Sequence, residues 1–249
     1  MTPEEWHAWF TVQAEWTRPA REWLYGQAGW SGASALLDVG CGTGVIARDV
    51  LQRWRGRVVG LDVDPEMLGV ARRSAGQVAW VQGDAHRLPF PDGSFDGVVC
   101  HYLLLWLSDP AQGVREMARV VRSGGAVLVC AEPDYGGRID HPPELARLGR
   151  LQAEALAGQG ADPECGRRLG AYFAAAGLRA TVGVMAGGWS VPSAAGPAFE
   201  AEWAMRARDA AGRLSVEELA HLRRIDARAL EAGERVLFVP TFYAVGYKT

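Results

Sequence analysis

The amino-acid sequence predicts an α/β protein built on a doubly wound, mostly parallel sheet. Short apolar runs recur between residues 31 and 131, and stretches with the helical spacing of apolar residues separate them. This alternation is typical of parallel strands joined by helices on both faces of a sheet. The first run ends in a glycine-rich turn, and three successive runs end beside an aspartate. Because the carboxyl ends of parallel strands share one edge, a ligand site is expected there.

The first strand is predicted at Ala35–Val39, a mostly apolar run typical of a strand buried on both faces. Three glycines follow at alternate positions: Gly40, Gly42 and Gly44. A helical pattern then covers about 43 to 54, and its free N–H groups favour a nucleotide-type cofactor in the turn. Glycine suits a backbone that turns sharply and lies against a ligand. We expect Gly42 to lie closest to the cofactor, with Asp38 below it fixing the turn.

Carboxylates stand at the ends of three predicted strands. Asp38 precedes the glycine turn, Asp62 ends a strand at Val58–Asp62, and Asp84 follows a third strand at Val78–Gln82. Such groups can accept hydrogen bonds from an ammonium group, from ribose hydroxyls and from an adenine amino group. The three together are more specific than the glycine turn alone. A nicotinamide-binding fingerprint would need a small residue where this chain has Val45.

The amino-terminal region, residues 3 to 29, is predicted to be helical, with Pro19 breaking or kinking it into two helices. Tryptophans recur there at every seventh position: Trp9, Trp16, Trp23 and Trp30. Residues seven apart drift only slowly around a helix. The stripe is therefore expected to cover the sheet or the cofactor site.

The central elements follow the same alternation. Two helices are predicted, one from Pro65 to about Ala75 and one that begins at Asp109-Pro110 and stops at Gly124. A fourth strand is predicted at Phe95–Cys100 and a fifth strand at Ala126–Ala131. Proline suits the first turn of a helix, and glycine commonly follows the last one.

The carboxyl-terminal region is less regular. Helices are predicted at 143–157 and 165–176, a sixth strand at Leu178–Ala186, and a last strand at Arg235–Lys248. Between these two strands, residues 187–233 are predicted to form a mostly helical insertion, with a capping box at Ser215-Val216-Glu217-Glu218. The side chains of Trp189, Trp203 and Met205 would either close over a substrate, which makes the insertion a lid, or form a small core of its own.

Three runs of this sequence, LLDVGCGTG, VVGLDVDPEML and GDAHRLPFPDGSFDGVVC, carry a family resemblance. They resemble the first motifs of class I S-adenosylmethionine-dependent methyltransferases, and most of all the group around the ubiquinone/menaquinone C-methyltransferases. The resemblance spans residues 35 to 131 throughout. It implies a single domain, 1–249, with a Rossmann-like seven-stranded sheet whose last strand is antiparallel. Residues 1–30 would form a helical cap, 31–186 and 234–249 the cofactor-binding core, and 187–233 the insertion.

The resemblance also implies S-adenosylmethionine as the cofactor. Asp38 and the glycine turn would hold its methionine part, Asp62 its ribose, and Asp84 with Ala85 its adenine. Relatives carry a W-T-x-x-x-R segment similar to Trp16–Arg21, so Arg21 is a candidate for the cofactor carboxylate; a surface salt bridge is the alternative. The candidate cofactor-binding residues are Arg21, Asp38, Gly40, Cys41, Gly42, Thr43, Gly44, Asp62, Val63, Met67, Gly83, Asp84, Ala85 and His101.

Residues for the methyl acceptor are expected after the fourth and fifth strands. Tyr102 and Trp106 follow the fourth strand, and Glu132 and Tyr135 follow the fifth, where the transferable methyl group would lie. Each has plain packing or a structural role as its alternative. No catalytic residue can be named from these positions.

The composition favours a cytoplasmic bacterial protein. A formal net charge of −3, from 26 basic and 29 acidic residues, suggests no basic surface for nucleic acid. Four widely spaced cysteines indicate reduced thiols rather than a metal site. Neither a signal peptide nor a long apolar membrane segment is recognisable in the sequence. A single lysine and no asparagine suggest a GC-rich bacterial genome.

Three functions remain open. The first is a methyltransferase that acts on O, N or C of a small molecule. The second is a nicotinamide-dependent dehydrogenase, which Val45, the position of Asp84 and the lack of a Y-x-x-x-K pair disfavour. The third is a protein that binds an S-adenosyl ligand without catalysis. The oligomeric state is not predicted.

Overall fold

The structure is a computed structural model, which describes residues 1–185 and 196–249. The described helices are α1 Pro3–Gln27, α2 Val45–Arg53, α3 Pro65–Ser74, α4 Pro110–Val120, α5 Ala146–Gly158, α6 Leu169–Ala175, α7 Pro197–Asp209 and α8 Val216–Ala232. The described strands are β1 Ala35–Val39, β2 Arg57–Asp62, β3 Ala79–Gln82, β4 Phe95–Cys100, β5 Val121–Pro133, β6 Ile139–His141, β7 Arg179–Val184, β8 Val236–Phe238 and β9 Thr241–Tyr247.

Seven strands form one sheet in the order β3-β2-β1-β4-β5-β9-β7. The pairs from β3 through β5 are parallel, and β9 runs antiparallel to β7. The predicted Rossmann-like sheet with an antiparallel last strand is confirmed. The strand order reverses between β1 and β4, which is where ligands bind in open α/β sheets. The carboxyl end of β1 carries the glycine turn.

The chain divides into two compact units. The first contains Met1–Glu132, Cys165–Val184 and Thr241–Thr249, and it holds the seven-stranded sheet. The second contains Pro133–Glu164 and Met185–Pro240, with a two-stranded ribbon of β6 and β8. The single domain with an insertion at 187–233 stays a prediction. The compact unit that holds the described part of that insertion also includes residues 133–164.

The second unit has its own hydrophobic core, in which α5, α7 and α8 take part. Trp203 is only 4% exposed and packs with Phe199 and Leu222. Trp203 therefore lies in a core that α5 shares with the described part of the insertion, and the choice between a lid and a core of the insertion's own stays a prediction. Trp189 lies outside the described residues. The capping box at Ser215 is confirmed, because Ser215 and Glu218 each accept the other's backbone N–H.

Helix α1 corrects the prediction that Pro19 separates two helices, because the helix is continuous from Pro3 to Gln27. The guanidinium group of Arg21 donates back across Pro19, to the carbonyl of Ala14 and the hydroxyl of Thr17, both at 2.5 Å. These bonds connect the turns on either side of the proline. The tryptophan stripe is shorter than predicted, since Trp30 lies beyond α1 in a 3₁₀ turn and is buried.

Two further boundaries differ from the prediction. Helix α4 ends at Val120 rather than at Gly124, because Val121 already pairs with Phe95 of β4. Gly124 lies within β5 with φ +76°, and its N–H donates to the Lys248 carbonyl. The predicted last strand divides into β8 and β9, and these belong to different sheets.

No helix among the described residues is long and apolar enough to cross a membrane. The same described residues contain no cluster of three side chains suited to holding a metal ion.

Candidate functional site

The glycine turn between β1 and α2 is built on left-handed backbone. The three glycines have φ values of +68°, +51° and +82° in the order Gly40, Gly42, Gly44. A Cβ on Gly40 would lie 2.5 Å from Leu103 Cδ1, one on Gly42 would lie 3.1 Å from Phe10 Cε2, and one on Gly44 would collide with the Trp80 ring. Glycine is therefore required by both the conformation and the surrounding side chains. The helix begins at Val45, two residues later than predicted, with Gly44 as its N-cap.

Asp62 holds this turn. Its Oδ2 accepts the Gly42 N–H at 2.6 Å, and its Oδ1 accepts the Asp64 N–H at 3.0 Å. Burial raises the pKa of Asp62, and these backbone N–H groups oppose the shift. The expectation that Asp38 fixes the turn is wrong. The reason is geometric: β2 delivers the Asp62 carboxylate beside the turn, and Gly42 donates across the strands.

Asp38 is instead a buried acid with an unused acceptor. It is 1% exposed, it accepts a backbone N–H from Ala47, and its Oδ2 has no hydrogen-bond partner among the described residues. Burial, and then the charge of Asp62, raises the pKa of Asp38 well above its ordinary value. A cation placed against Oδ2 would relieve this unfavourable charge. The ammonium group of an amino-acid moiety has the required chemistry.

Arg21 is buried and already forms several hydrogen bonds. Besides the bonds across Pro19, its Nη2 donates to Asp49 Oδ2 at 3.2 Å, and the side chain is 2% exposed. Its Nε alone is without a partner among the described residues. Contact with a cofactor carboxylate stays a prediction for Arg21, but both terminal nitrogens are engaged within the protein.

His101 is connected to α1. Its Nε2 lies 2.8 Å from the Thr17 hydroxyl, and burial lowers its pKa to about 3. The imidazole is therefore neutral at physiological pH. Tyr102 follows at φ +52°, with its ring edge-on to His101 at 4.5 Å.

The amino-terminal part of α1 lies across the glycine turn. His7 Nδ1 is 2.8 Å from the hydroxyl of Thr43, which is fully buried, and the Phe10 ring faces Gly42. Burial and the nearby Arg48 lower the pKa of His7. Sequence reasoning identified the cap but not these two residues. Their only signal was a position in the helix preceding the turn.

The adenine side of the predicted site is formed by the end of β3. The Gly83 N–H donates to the Asp62 carbonyl at 3.0 Å, so β2 and β3 end side by side. Asp84 is exposed, and its Oδ1 accepts from the N–H and the Nδ1 of His86 at 2.8 and 2.7 Å. These bonds lower the pKa of Asp84. His86 is a neighbour that sequence reasoning missed.

The remaining candidates on this side differ in exposure. Ala85 and Cys41 are buried, Val63 is 67% exposed, and Met67 is half-buried near the start of α3. The structure brings the ends of β1, β2 and β3 together as predicted. The binding roles of these residues stay predictions.

The acceptor-side candidates differ in burial and in their hydrogen bonds. Trp106 is 44% exposed, whereas Glu132 is fully buried and accepts three backbone N–H groups. Tyr135 belongs to the second unit, where its N–H donates to the Pro163 carbonyl and burial raises its pKa to about 12. Contact of these side chains with an acceptor stays a prediction, although the bonds of Glu132 indicate a structural task.

The part of the chain that carries the glycine turn is similar to known methyltransferases. Residues 37–129 match the profile of a family described as "Methyltransferase domain". The demethylmenaquinone methyltransferase of Deinococcus radiodurans is 40% identical over 103 residues, which are 39% of this chain and 43% of that protein. The malonyl-[acyl-carrier protein] O-methyltransferase of Serratia marcescens is 36% identical over 119 residues, 48% of this chain and 46% of that protein.

The chain thus spans about half the length of these curated relatives. Among solved structures, a geranyl diphosphate methyltransferase in complex with S-adenosylmethionine superposes with a TM-score of 0.60 at 16% identity. That match covers 94% of this chain and 85% of the other, and it concerns the fold alone. The resemblance to class I methyltransferases seen in the sequence is confirmed.

Proposed function

We propose, on the premise that residues 37–129 belong to the methyltransferase domain family, that this chain is an S-adenosylmethionine-dependent methyltransferase acting on a small molecule. The observation that supports the cofactor most directly is the buried Oδ2 of Asp38, which has no partner in the described part of the chain and lies beside a turn of three left-handed glycines. A buried carboxylate with a free acceptor suits a ligand that carries an ammonium group. A dinucleotide lacks such a group.

Each part of the cofactor has residues in this chain with suitable chemistry. Asp38 would accept from the ammonium group, Asp62 from the ribose hydroxyls, and Asp84 from the adenine amino group. The bound cofactor supplies an electrophilic methyl group on a sulfonium sulfur. The protein would then contribute mainly by orienting the acceptor and excluding water.

The names of the relatives suggest which acceptors to test. The two relatives described above are named for demethylmenaquinone and malonyl-[acyl-carrier protein], an apolar quinone and an acidic thioester. A panel of quinones and carboxylates is the natural first choice for turnover. The four cysteines are buried and form no disulfide with one another, which suits the bacterial cytoplasm as the compartment.

Calorimetric titration of the full chain tests the cofactor. We expect S-adenosylmethionine and S-adenosylhomocysteine to bind and NAD not to bind. Asp62→Ala should weaken both S-adenosyl ligands by roughly 1–3 kcal/mol, because buried hydroxyls lose their acceptor. Binding of NAD alone would favour the dehydrogenase instead.

The control separates ligand contact from turn support, since Asp62 also holds Gly42. In Asp62→Asn, one side-chain oxygen still accepts a backbone N–H, while the second acceptor for the ribose is lost. We expect Asp62→Asn to melt closer to the wild type than Asp62→Ala does, and yet to bind both ligands weakly. Unchanged affinity in both variants would show that the ribose is held elsewhere. Turnover on the acceptor panel then distinguishes an enzyme from a non-catalytic binder.

A further inference from the structure

Glu132 is a fully buried carboxylate at the end of β5, and its hydrogen bonds go to one short turn. Its Oε1 accepts the N–H groups of Leu103 and Leu104 at 2.9 and 2.8 Å, and its Oε2 accepts that of Leu105 at 3.1 Å. Three consecutive backbone N–H groups therefore converge on one carboxylate. The carboxylate oxygens of Glu132 thus stabilise the turn through hydrogen bonds, and they have little remaining capacity to accept a hydrogen bond from a substrate.

The turn held by Glu132 is conformationally unusual. Tyr102, which enters it, has φ +52° and is the only residue other than glycine with positive φ in the described chain. Such a conformation is costly for a bulky side chain and persists only when its surroundings hold it. The Tyr102 N–H donates to the Ala131 carbonyl at 2.9 Å. Adjacent residues of β5 thus hold the turn from both ends.

This turn supports two parts of the candidate cofactor site. The Leu103 side chain occupies the space beside Gly40, where a Cβ would lie 2.5 Å from it. The Tyr102 ring lies against His101, and His101 is hydrogen-bonded to Thr17 of α1. A shift of the turn would therefore move the first glycine and loosen the connection between β4 and α1.

We propose that Glu132 is a positioning residue for S-adenosyl ligand binding, which acts by anchoring the 103–105 backbone against the glycine turn. This inference rests on the proposed function. It replaces a direct contact with the acceptor, which was the role expected from the position of Glu132 in the sequence. Glu132 touches neither cofactor nor acceptor in this assignment.

The variant Glu132→Gln tests the assignment with little change in shape. Its amide oxygen can still accept from Leu103 and Leu104, while its amide nitrogen would face the Leu105 N–H, donor against donor. We expect S-adenosylhomocysteine to bind about tenfold more weakly to the full-length variant, the scale of one lost buried hydrogen bond. Amide hydrogen exchange at Leu103–Leu105 should accelerate in the ligand-free protein.

Asp96→Asn is the matched control. Asp96 is a carboxylate at the opposite end of β4, and its Oδ2 accepts the N–H groups of Ser34 and Ala35 at 2.7 and 2.8 Å. The substitution Asp96→Asn should lower the melting temperature without changing the affinity for S-adenosylhomocysteine. If Glu132→Gln and Asp96→Asn lose similar thermal stability and bind alike, Glu132 serves only the fold, and the inference is overturned.

A pH profile of the wild type provides a readout that does not depend on the variant folding. Burial raises the pKa of Glu132 to about 7, and the three N–H groups oppose that shift. The thiols of Cys100 and Cys130 interact with Glu132, and burial raises the pKa of both thiols, which keeps them neutral in this range. As the pH falls from about 8 to about 6, Glu132 takes up a proton and loses acceptor strength, so the wild-type affinity should fall.

The affinity of Glu132→Gln should change less than that of the wild type over the same range. Equal pH profiles for the two proteins, or unchanged amide exchange in Glu132→Gln, would refute the inference. Should the variant fail to fold, a wild-type affinity that is flat between these pH values overturns it. Failure of the wild type to bind either S-adenosyl ligand is a different result, because it would refute the proposed function itself.

Discussion

At the scale of single residues, Gly42 shows two separate reasons for the absence of a side chain. Its φ of +51° is one that other residues adopt at a cost, and the Phe10 ring lies where a Cβ would point. The sequence predicted the close approach of a ligand. The structure adds the approach of α1, so the local fold as well as the proposed ligand site depends on this glycine.

The variant Gly42→Ala should weaken binding of S-adenosylhomocysteine by about tenfold, or about 1.4 kcal/mol. The added methyl group displaces the Phe10 ring and the ligand, and the left-handed backbone costs about 1–2 kcal/mol. Differential scanning fluorimetry should therefore also show a lower melting temperature in the ligand-free protein.

The control for this variant is Gly29→Ala. Gly29 has φ +68°, and nothing lies within 4 Å of a Cβ added there. Gly29→Ala should be destabilised only by the left-handed backbone conformation and should bind S-adenosylhomocysteine with the affinity of the wild type. Equal affinity in the two variants would show that the cofactor does not lie against Gly42.

At the scale of elements, α1 holds its course through Pro19 because tertiary contacts fix it on both sides. Thr17 bonds to His101 before the proline, and Arg21 bonds to Asp49 after it. An interior proline costs about 3 kcal/mol or more in an isolated helix. Contacts with β4 and α2 offset that cost, and a local sequence pattern does not contain them.

In the second unit, Asp226 connects α7, α8 and the segment before β8. It is fully buried and accepts from Trp203 Nε1 at 2.8 Å, from Arg206 Nη1 at 2.7 Å and from Arg235 Nε at 2.7 Å. Burial lowers the pKa of Arg206, and the charges of Glu202 and Asp226 oppose that shift. The ionic contacts therefore offset only part of the effect of burial on the arginine.

Removal of this acceptor in Asp226→Ala should destabilise the second unit by about 3–5 kcal/mol, because the two arginines lose a buried counter-charge. Urea unfolding followed by tryptophan fluorescence measures the loss. Glu200→Ala is the control on the same helices. Its exposed pair with Arg223, at 2.5 Å, should contribute about 0–1 kcal/mol. An equally small loss of unfolding free energy in Asp226→Ala would mean that the hydrogen bonds of Asp226 do not stabilise the second unit.

At the scale of the whole molecule, the segment between β7 and β9 offers a direct test of the predicted lid. Val184 pairs with Phe242, so the two strands already form an antiparallel pair that a short hairpin loop can join. We expect replacement of residues 186–239 by such a loop to abolish turnover while S-adenosylhomocysteine still binds. All predicted cofactor residues belong to the first unit.

Circular dichroism of the shortened chain is the control for its fold, and analytical ultracentrifugation reports its oligomeric state. Retained turnover together with a change in oligomeric state would contradict the lid. It would instead identify residues 187–233 as a dimerisation arm.

The sequence by itself determined the parallel sheet, the glycine turn and the three carboxylates at strand ends. These features depend on short-range patterns, namely buried strands of few residues and glycines where the backbone is left-handed. The same runs resemble the methyltransferase family, and residues 37–129 match the model of that domain.

Only the tertiary structure decided which acceptor each donor finds. The sequence favoured Asp38 beneath the turn, but Gly42 donates to Asp62, 20 residues away. Leu103 donates to Glu132 across 29 residues, and Thr17 meets His101 across 84. Such partners are chosen by strand register and side-chain direction once the sheet has formed. The sequence pattern treats all polar residues at the end of a strand alike. Only packing in the folded protein decides which of them can contact a ligand and which of them holds the backbone in place.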